Sequence, residues 1–191
     1  MLRAVHDHEL PVIRRWRNHP KVRAASFTTH VIAEDEHARW WAAVKDDPAT
    51  RVLIYTHDGA AAGVVTFSGL DPVSRSGDWG FYLDLAGLER SGALLPAWIG
   101  LERSAIEHAF GPLGLTTLRG EVLAGNEAAR ALHRRFGFAE VGVHQRDIDG
   151  VRRDVVTVQL IRKDELMRKD DAWRKDDSWR KDDSWRKGGN A

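Results

Sequence analysis

The sequence predicts a mixed α/β fold, a sheet of about six or seven strands with two crossover helices. Three observations predict it. Asp58-Gly59 and Asp149-Gly150 are hairpin turn signals, each set between runs rich in branched side chains. Between the two hairpins, strand-like and helix-like segments alternate. Apolar residues make up 42% of the 191, enough to fill one core.

Each element has its own reason. Residues 2–5 read as a short first strand. A helix is predicted over Glu9 to Trp16, with Leu10, Ile13 and Trp16 on one face. Pro11 falls in its first turn, where the missing N–H costs little. Arg17-Asn18-His19-Pro20 is a polar break ahead of Lys21–Ala25, and Ile32 to Trp41 reads as a second helix, closed by Asp46-Asp47-Pro48. Arg51–Tyr55 and Ala61–Ser68 are the arms of the first hairpin. Asp71–Gly77 is expected to be a loop and Asp78–Leu83 a third strand. Loop Asp84–Gly92 then leads to a helix from about Ala93 to Phe110, with Pro96 near its first turn and Gly111-Pro112 at its end. Ala139–Asp147 and Val151–Ile161 form the last hairpin.

The central stretch runs from Leu118 to Phe138. It is predicted as strand, tight turn at Ala124-Gly125, helix, strand. Asn126 is a good helix N-cap, and Gly137 stands where helices stop. Ala129, Leu132, His133 and Phe136 recur at i, i+3, i+4 and i+7 and share one helical face.

Charge and composition exclude several functions. The formal net charge is +1. Residues 162–191 hold ten Lys/Arg and eight Asp/Glu, which leaves 19 basic and 20 acidic residues in the other 161. So neutral a body argues against a phosphate-backbone binder, and nucleic acid is not an expected partner. There is no cysteine, so disulfides, thiolate metal sites and a cysteine nucleophile are excluded. Nine histidines are scattered without metal-ligand spacing, and no metal is expected. No run approaches the length of a membrane span, and the first residues lack a signal-peptide core; a cytoplasmic location without membrane attachment is the expectation. A serine hydrolase is disfavoured, as no G-x-S-x-G elbow is present. Beyond Met167 the composition changes to repeats of Arg-Lys-Asp-Asp with Trp173, Trp179 and Trp185 six apart. This low-complexity tail, residues 164–191, is set apart from a domain at 1–163 and is given no role.

Some residues carry chemistry in combination. A strand ending at Leu83, a Gly-containing loop and a helix N-terminus can bind an anion such as a pyrophosphate, although an ordinary strand-to-helix connection looks the same. If the strand carrying Glu121 diverges from the one ending at Leu83, a cleft opens between them. Glu121 could there accept a proton from an amine, or it could simply face solvent. Asn126 alone is a helix cap, and His133 alone is a half-buried core histidine.

Together these residues resemble the GNAT superfamily of acetyl-CoA-dependent N-acetyltransferases over residues 2–161. Within it, the chain is most similar to the aminosugar N-acetyltransferases of pseudaminic acid biosynthesis. Arg17-Asn18-His19-Pro20, the Ile32–His37–Trp41 spacing, Gly80-Phe81-Tyr82, Glu121-Val122 followed by Asn126, and Phe136-Gly137-Phe138 carry the likeness. The resemblance implies a mostly antiparallel six- to seven-stranded sheet flanked by helices. It implies acetyl-CoA as cosubstrate and a small-molecule amine as acceptor, foremost the 4-amino group of a nucleotide-linked aminosugar; a homodimer is one expected assembly. Phe81, Tyr82 and Leu83 would pair with the pantetheine arm. Amides from Arg90 through Ser91, Gly92, Ala93 and Leu94 would cradle the pyrophosphate, and Asn126 would contact pantetheine. Glu121 would be the general base. His133 stands where relatives usually place a Tyr that protonates the leaving thiolate. Arg17, Asn18, His19 and Trp40 would shape the acceptor pocket. Two departures stand out: Glu89-x-x-Gly92-x-Leu94 replaces the family's [QR]-x-x-G-x-[GA], and His133 replaces the Tyr. Other small amines, a ribosomal-protein N-terminus and a degenerate CoA-binding module are the alternatives.

Overall fold

A computed structural model describes residues 1–165. The low-complexity tail from residue 166 on, with Trp173, Trp179 and Trp185, lies outside the described residues. A 3-10 turn (Asp7–Glu9) follows strand β1 (Leu2–Ala4) and leads into helix α1 (Leu10–Arg17), then α2 (Pro20–Ala24) and α3 (Glu34–Val44). The sheet continues with β2 (Arg51–His57), β3 (Ala60–Asp71) and β4 (Ser76–Leu83). Helices α4 (Leu85–Arg90) and α5 (Leu94–Phe110) cross to β5 (Thr117–Leu123). Helix α6 (Glu127–Arg135), β6 (Ala139–Ile148) and β7 (Val151–Ile161) complete the domain.

The seven strands lie in the order β1-β2-β3-β4-β5-β7-β6. All neighbours are antiparallel except β4 and β5, which run parallel. The final hairpin folds back so that β7 slots between β5 and β6. Both faces of the sheet are covered. On one face Val65, Phe67, Leu118 and Val158 pack with Leu101, Ala105 and Ala109 of α5. On the other, Ile54 and Val64 meet Ile13 and Trp16 of α1. Residues 62–65 of β3 are accordingly buried without alternation, the mark of a strand covered on both sides.

Three elements differ from expectation, each for a local reason. Helix α4 occupies the predicted loop 84–92, because Asp84 caps it by accepting from the Gly87 amide at 3.1 Å. The helix expected from Ile32 starts at Glu34. Ile32 is held outside it: its N–H donates to Asn18 Oδ1 at 2.8 Å and its carbonyl accepts from Asn18 Nδ2 at 2.9 Å. The polar break at 17–20 turns directly into α2, with Pro20 at its first position and the His19 side chain accepting from the Lys21 amide.

Candidate active site

The site begins where β4 and β5 part. Their pairing runs from Ser76 opposite Thr117 to Trp79 opposite Gly120, and stops there. Beyond it Gly80–Leu83 stays paired to β3, while Glu121–Leu123 stays paired to β7. The two strands therefore splay, and their facing backbone edges are left unpaired with each other. Gly120 sits at the apex. A Cβ there would lie 3.1 Å from Trp79 Nε1, a tight approach that glycine avoids.

The fork opens into a cavity of about 610 Å³. Strand alternation gives it two halves. Trp79 and Phe81 point with Val122 toward α5 and α6. Tyr82 packs with the cluster on the other face, and Glu121 alternates to that side too. Glu121 and His133 both line the cavity, from opposite sides of the sheet.

Glu121 is part-exposed at 34% of its side chain. Its Oε2 lies 3.0 Å from Arg146 Nη2 on β6, and its Oε1 lies 3.4 Å from His144 Nε2. Arg146 also covers the Phe27 ring, 4.3 Å from its centroid, and Phe27 is itself a cavity residue. The carboxylate is thus held in position beside the opening.

His133 is buried, and its Nδ1 meets Glu102 Oε1 of α5 at 2.7 Å. The rings of Trp79, Phe81 and Phe138 surround it, with centroids 5.6, 6.3 and 5.3 Å away. Asn126 lines the cavity while its Oδ1 accepts from the Ala129 amide at 3.2 Å, capping α6. Its Nδ2 makes no hydrogen bond among the described residues and can donate to a guest.

Not all the predicted acceptor residues meet here. Arg17 lines the cavity; its Nη2 donates to the Thr28 carbonyl at 3.1 Å, and its buried Nη1 has no partner among the described residues. Burial lowers the pKa of this guanidinium below its ordinary value, and the nearby Tyr82 partly offsets that. Burial pushes the Tyr82 phenol well above its usual value, so it stays protonated. Asn18 and His19 do not line the cavity. Their polar atoms clamp Ile32 and cap α2, so they fix the walls that carry Thr28 and Lys21. Trp40 packs on His37 and Trp41 at 5.0 and 6.2 Å, away from the cavity.

The predicted phosphate cradle is narrower than expected. Phe81, Tyr82, Leu83 and Leu94 line the cavity, but Arg90, Ser91, Gly92 and Ala93 do not. The amides of Ser91, Gly92 and Ala93 donate to the carbonyls of Gly87, Glu89 and Leu88. Gly92, at φ +69°, makes the reversal between α4 and α5. Leu94 and Leu95, in the first turn of α5, have amides without a backbone partner among the described residues, and Pro96 has no N–H. Glu89, at the frame's first position, pairs with Lys21 Nζ at 2.7 Å across the rim.

Several residues of the site were not foreseen. Trp79 and Trp98 line the cavity with indole N–H groups that are buried and unpartnered among the described residues, as is Glu102 Oε2. Glu102 could have been found: Trp98, Glu102, Ala105 and Ala109 fall at i, i+4, i+7 and i+11, which puts an acid on an apolar stripe. The unpaired strand edges, the Asn126 amide and the start of α5 together suit a long guest rich in carbonyl and phosphate oxygens. A CoA thioester is such a molecule.

Comparison with known proteins agrees with this geometry. Residues 1–139 match the acetyltransferase (GNAT) domain family. YdaF of Bacillus subtilis (strain 168), named as a candidate ribosomal N-acetyltransferase, is 30% identical over 111 residues, 56% of this chain. The match spans 57% of that relative's length. The acetyltransferase PseH of Campylobacter jejuni (serotype O:23/36, strain 81-176) is 26% identical over 134 residues, covering 70% of this chain and 79% of PseH. Among solved structures, the spermidine N-acetyltransferase of Vibrio cholerae in complex with CoA and spermine superposes with a TM-score of 0.72. It is 21% identical and the overlap covers 84% of this chain and 94% of that one, a likeness in fold. With the family matched across more than two thirds of its length, the chain belongs to the GNAT acetyltransferase family.

Proposed function

We propose that this chain transfers an acetyl group from acetyl-CoA to the primary amine of a small molecule that also carries an anionic group, foremost a nucleotide-linked aminosugar. The observation that carries the reading is the fork beyond Trp79 and Gly120, with Glu121 on one side of it and His133 on the other. The thioester chain would lie in the fork, held by the strand edges of Gly80–Leu83, by Asn126 and by the amides of Leu94 and Leu95. The amine would enter from the Arg17–Phe27–Thr28 side. Glu121 would take its proton, directly or through water. The freed amine nitrogen attacks the thioester carbonyl carbon, strand N–H groups stabilise the oxyanion, and the intermediate gives its remaining extra N–H proton to water. The C–S bond then breaks and the thiolate takes a proton, which His133 would give.

Arg17 favours an anionic acceptor over a polyamine. Of the four charged residues lining the cavity, Lys21 is matched by Glu89, and Glu121 by Arg146 outside it. That leaves, among the described residues, the buried Arg17 Nη1 as the unmatched charged group, which a phosphate or carboxylate would satisfy and a polycation would not. Incubation with acetyl-CoA and a panel of nucleotide aminosugars, peptides with free N-termini and polyamines, read by mass spectrometry of acetylated products, tests the reading. Acetylation of the aminosugars is expected. Product from polyamines or peptides alone would replace the acceptor, and failure of CoA to raise the melting temperature would remove the donor.

A further inference from the structure

We infer that Glu102 is a positioning residue for His133: it holds Nδ1 toward the core so that Nε2 presents the proton taken by the leaving thiolate. The inference rests on the acetyl-transfer reading above. Glu102 is fully buried in α5, and its Oε1 lies 2.7 Å from His133 Nδ1. The polar and ring contacts of His133 among the described residues are Glu102 from α5, Trp79 and Phe81 from β4, and Phe138 from the turn before β6. Glu102 is thus the titratable group that faces it.

Packing gives no reason for the acid. Ala97, Leu101, Ala105 and Ala109 make the surrounding face of α5 apolar, and a leucine would suit it. Glu102 Oε2 is buried without a partner among the described residues, an arrangement that costs stability. A buried acid that an apolar side chain could replace, held against a histidine of the cavity wall, is what a proton-handling site retains. The imidazole can turn in its aromatic box only by breaking the bond to Oε1, so its orientation is set.

The proton balance closes. The form that gives the proton carries hydrogen on both ring nitrogens, with Nδ1–H donated to Oε1. As the C–S bond breaks, the thiolate sulfur takes the Nε2 proton. Neutral imidazole remains, with its proton on Nδ1 because Oε1 accepts it there. Solvent restores the Nε2 proton before the next turnover.

Two measurements on the full chain test this. Long-range nitrogen-proton NMR of histidine-labelled protein reads the tautomer of neutral His133. The Nδ1–H form is expected in the wild type and its loss in Glu102→Leu, which fits the apolar face; a neutral His133 protonated at Nε2 in the wild type overturns the inference. Kinetics supply the second. With acetyl-CoA, Glu102→Gln and Glu102→Leu should lower kcat about tenfold or more with little change in KM. With an aryl acetyl thioester, whose thiolate leaves without a proton, variant and wild type should come within about twofold of each other on the same basis. An equal loss with both donors means a packing role and overturns the inference. If the wild type acetylates no amine, the acetyl-transfer reading falls, and the NMR result alone decides whether Glu102 sets His133.

Discussion

The Glu121 carboxylate and the Arg146 guanidinium meet at 3.0 Å, joining β5 to β6 over the intervening β7. The pair fixes the proposed base at the mouth of the fork. Glu121→Gln keeps the shape and removes the proton acceptor. Turnover at neutral pH should fall about a hundredfold, and the deficit should shrink as pH approaches the acceptor amine's own pKa, where the amine is already free. Initial rates across pH check both; an unchanged rate removes Glu121 from the chemistry. Arg146→Ala leaves the carboxylate but not its anchor, and should lower kcat/KM by no more than about fivefold, as expected for a part-exposed pair.

The apex of the fork yields a packing prediction. A Cβ on Gly120 would press on Trp79 Nε1 and Cδ1 and on Val158 Cγ2, at 3.1, 3.4 and 3.4 Å. Trp79 stacks on Phe81 and Phe138 and cannot retreat without moving both. Gly120→Val should therefore destabilise the fold by about 1–3 kcal/mol and weaken CoA binding more than it weakens a remote ligand contact. Chemical denaturation and calorimetry of CoA binding check it.

Asn18 separates a wall-building role from a substrate contact. Both of its polar atoms are used by the Ile32 backbone, and the segment they pin carries Thr28, a cavity residue. Asn18→Ala should cost about 1–3 kcal/mol, because two part-buried hydrogen bonds are lost together. The acceptor KM should rise while kcat stays near its starting value. A kcat loss without a fall in melting temperature would make Asn18 a direct participant instead.

Acid stability has a defined sign at the N-terminus. Arg3 donates to both oxygens of the buried Glu9, at 2.8 and 2.6 Å, and the His6 amide donates at 2.9 Å. Chiefly through the Arg3 hydrogen bond, the carboxyl is lowered from about 4.5 to about 2. The unfolded chain binds this proton first, so the contribution is fully present above pH 4.5 and is lost as pH falls toward 2. Glu9→Gln should lower stability at neutral pH by about 1–2 kcal/mol and narrow its gap to the wild type below pH 3. Urea denaturation at a series of pH values checks the trend.

How far the sequence disclosed this molecule depends on which force wrote each feature. Runs of branched side chains around Asp-Gly turns announce the strands, so β2, β3, β6 and β7 fall close to where they were expected. Spatial order is another matter: nothing local says that β7 comes between β5 and β6. Helix α4 was hidden because Gly87 reads as a loop residue until Asp84 is seen to cap the turn. At the site, Glu121, Asn126 and His133 were legible, because each is a polar group at a marked point of a strand–turn–helix unit. Asn18 and His19 were placed in the acceptor pocket, yet a short polar side chain beside a chain break can serve the backbone as readily as a ligand. Glu102 was passed over, since an acid in a helix ordinarily faces water.

Arg17 bears most directly on the acceptor. Its Nη2 is spent on the Thr28 carbonyl, and its buried Nη1 is left without a partner among the described residues. A buried guanidinium nitrogen in this position gains most from an oxyanion, through a charge-assisted hydrogen bond worth about 1.5–3 kcal/mol. Arg17→Met removes the charge while keeping much of the aliphatic stem. For an acceptor with a phosphate or carboxylate, kcat/KM should fall about tenfold to a hundredfold, carried by KM. For a neutral amine of similar size the loss should be within about threefold, because that substrate never used Nη1. Arg17→Lys should not restore the anionic substrate fully, since a single ammonium cannot both hold the Thr28 carbonyl and reach the guest in the same geometry. Steady-state kinetics with matched anionic and neutral amines decide the matter. An equal loss for both would assign Arg17 to the wall rather than to the acceptor, and a gain with polyamines on removing the charge would show that like-charge repulsion at this nitrogen had been excluding them.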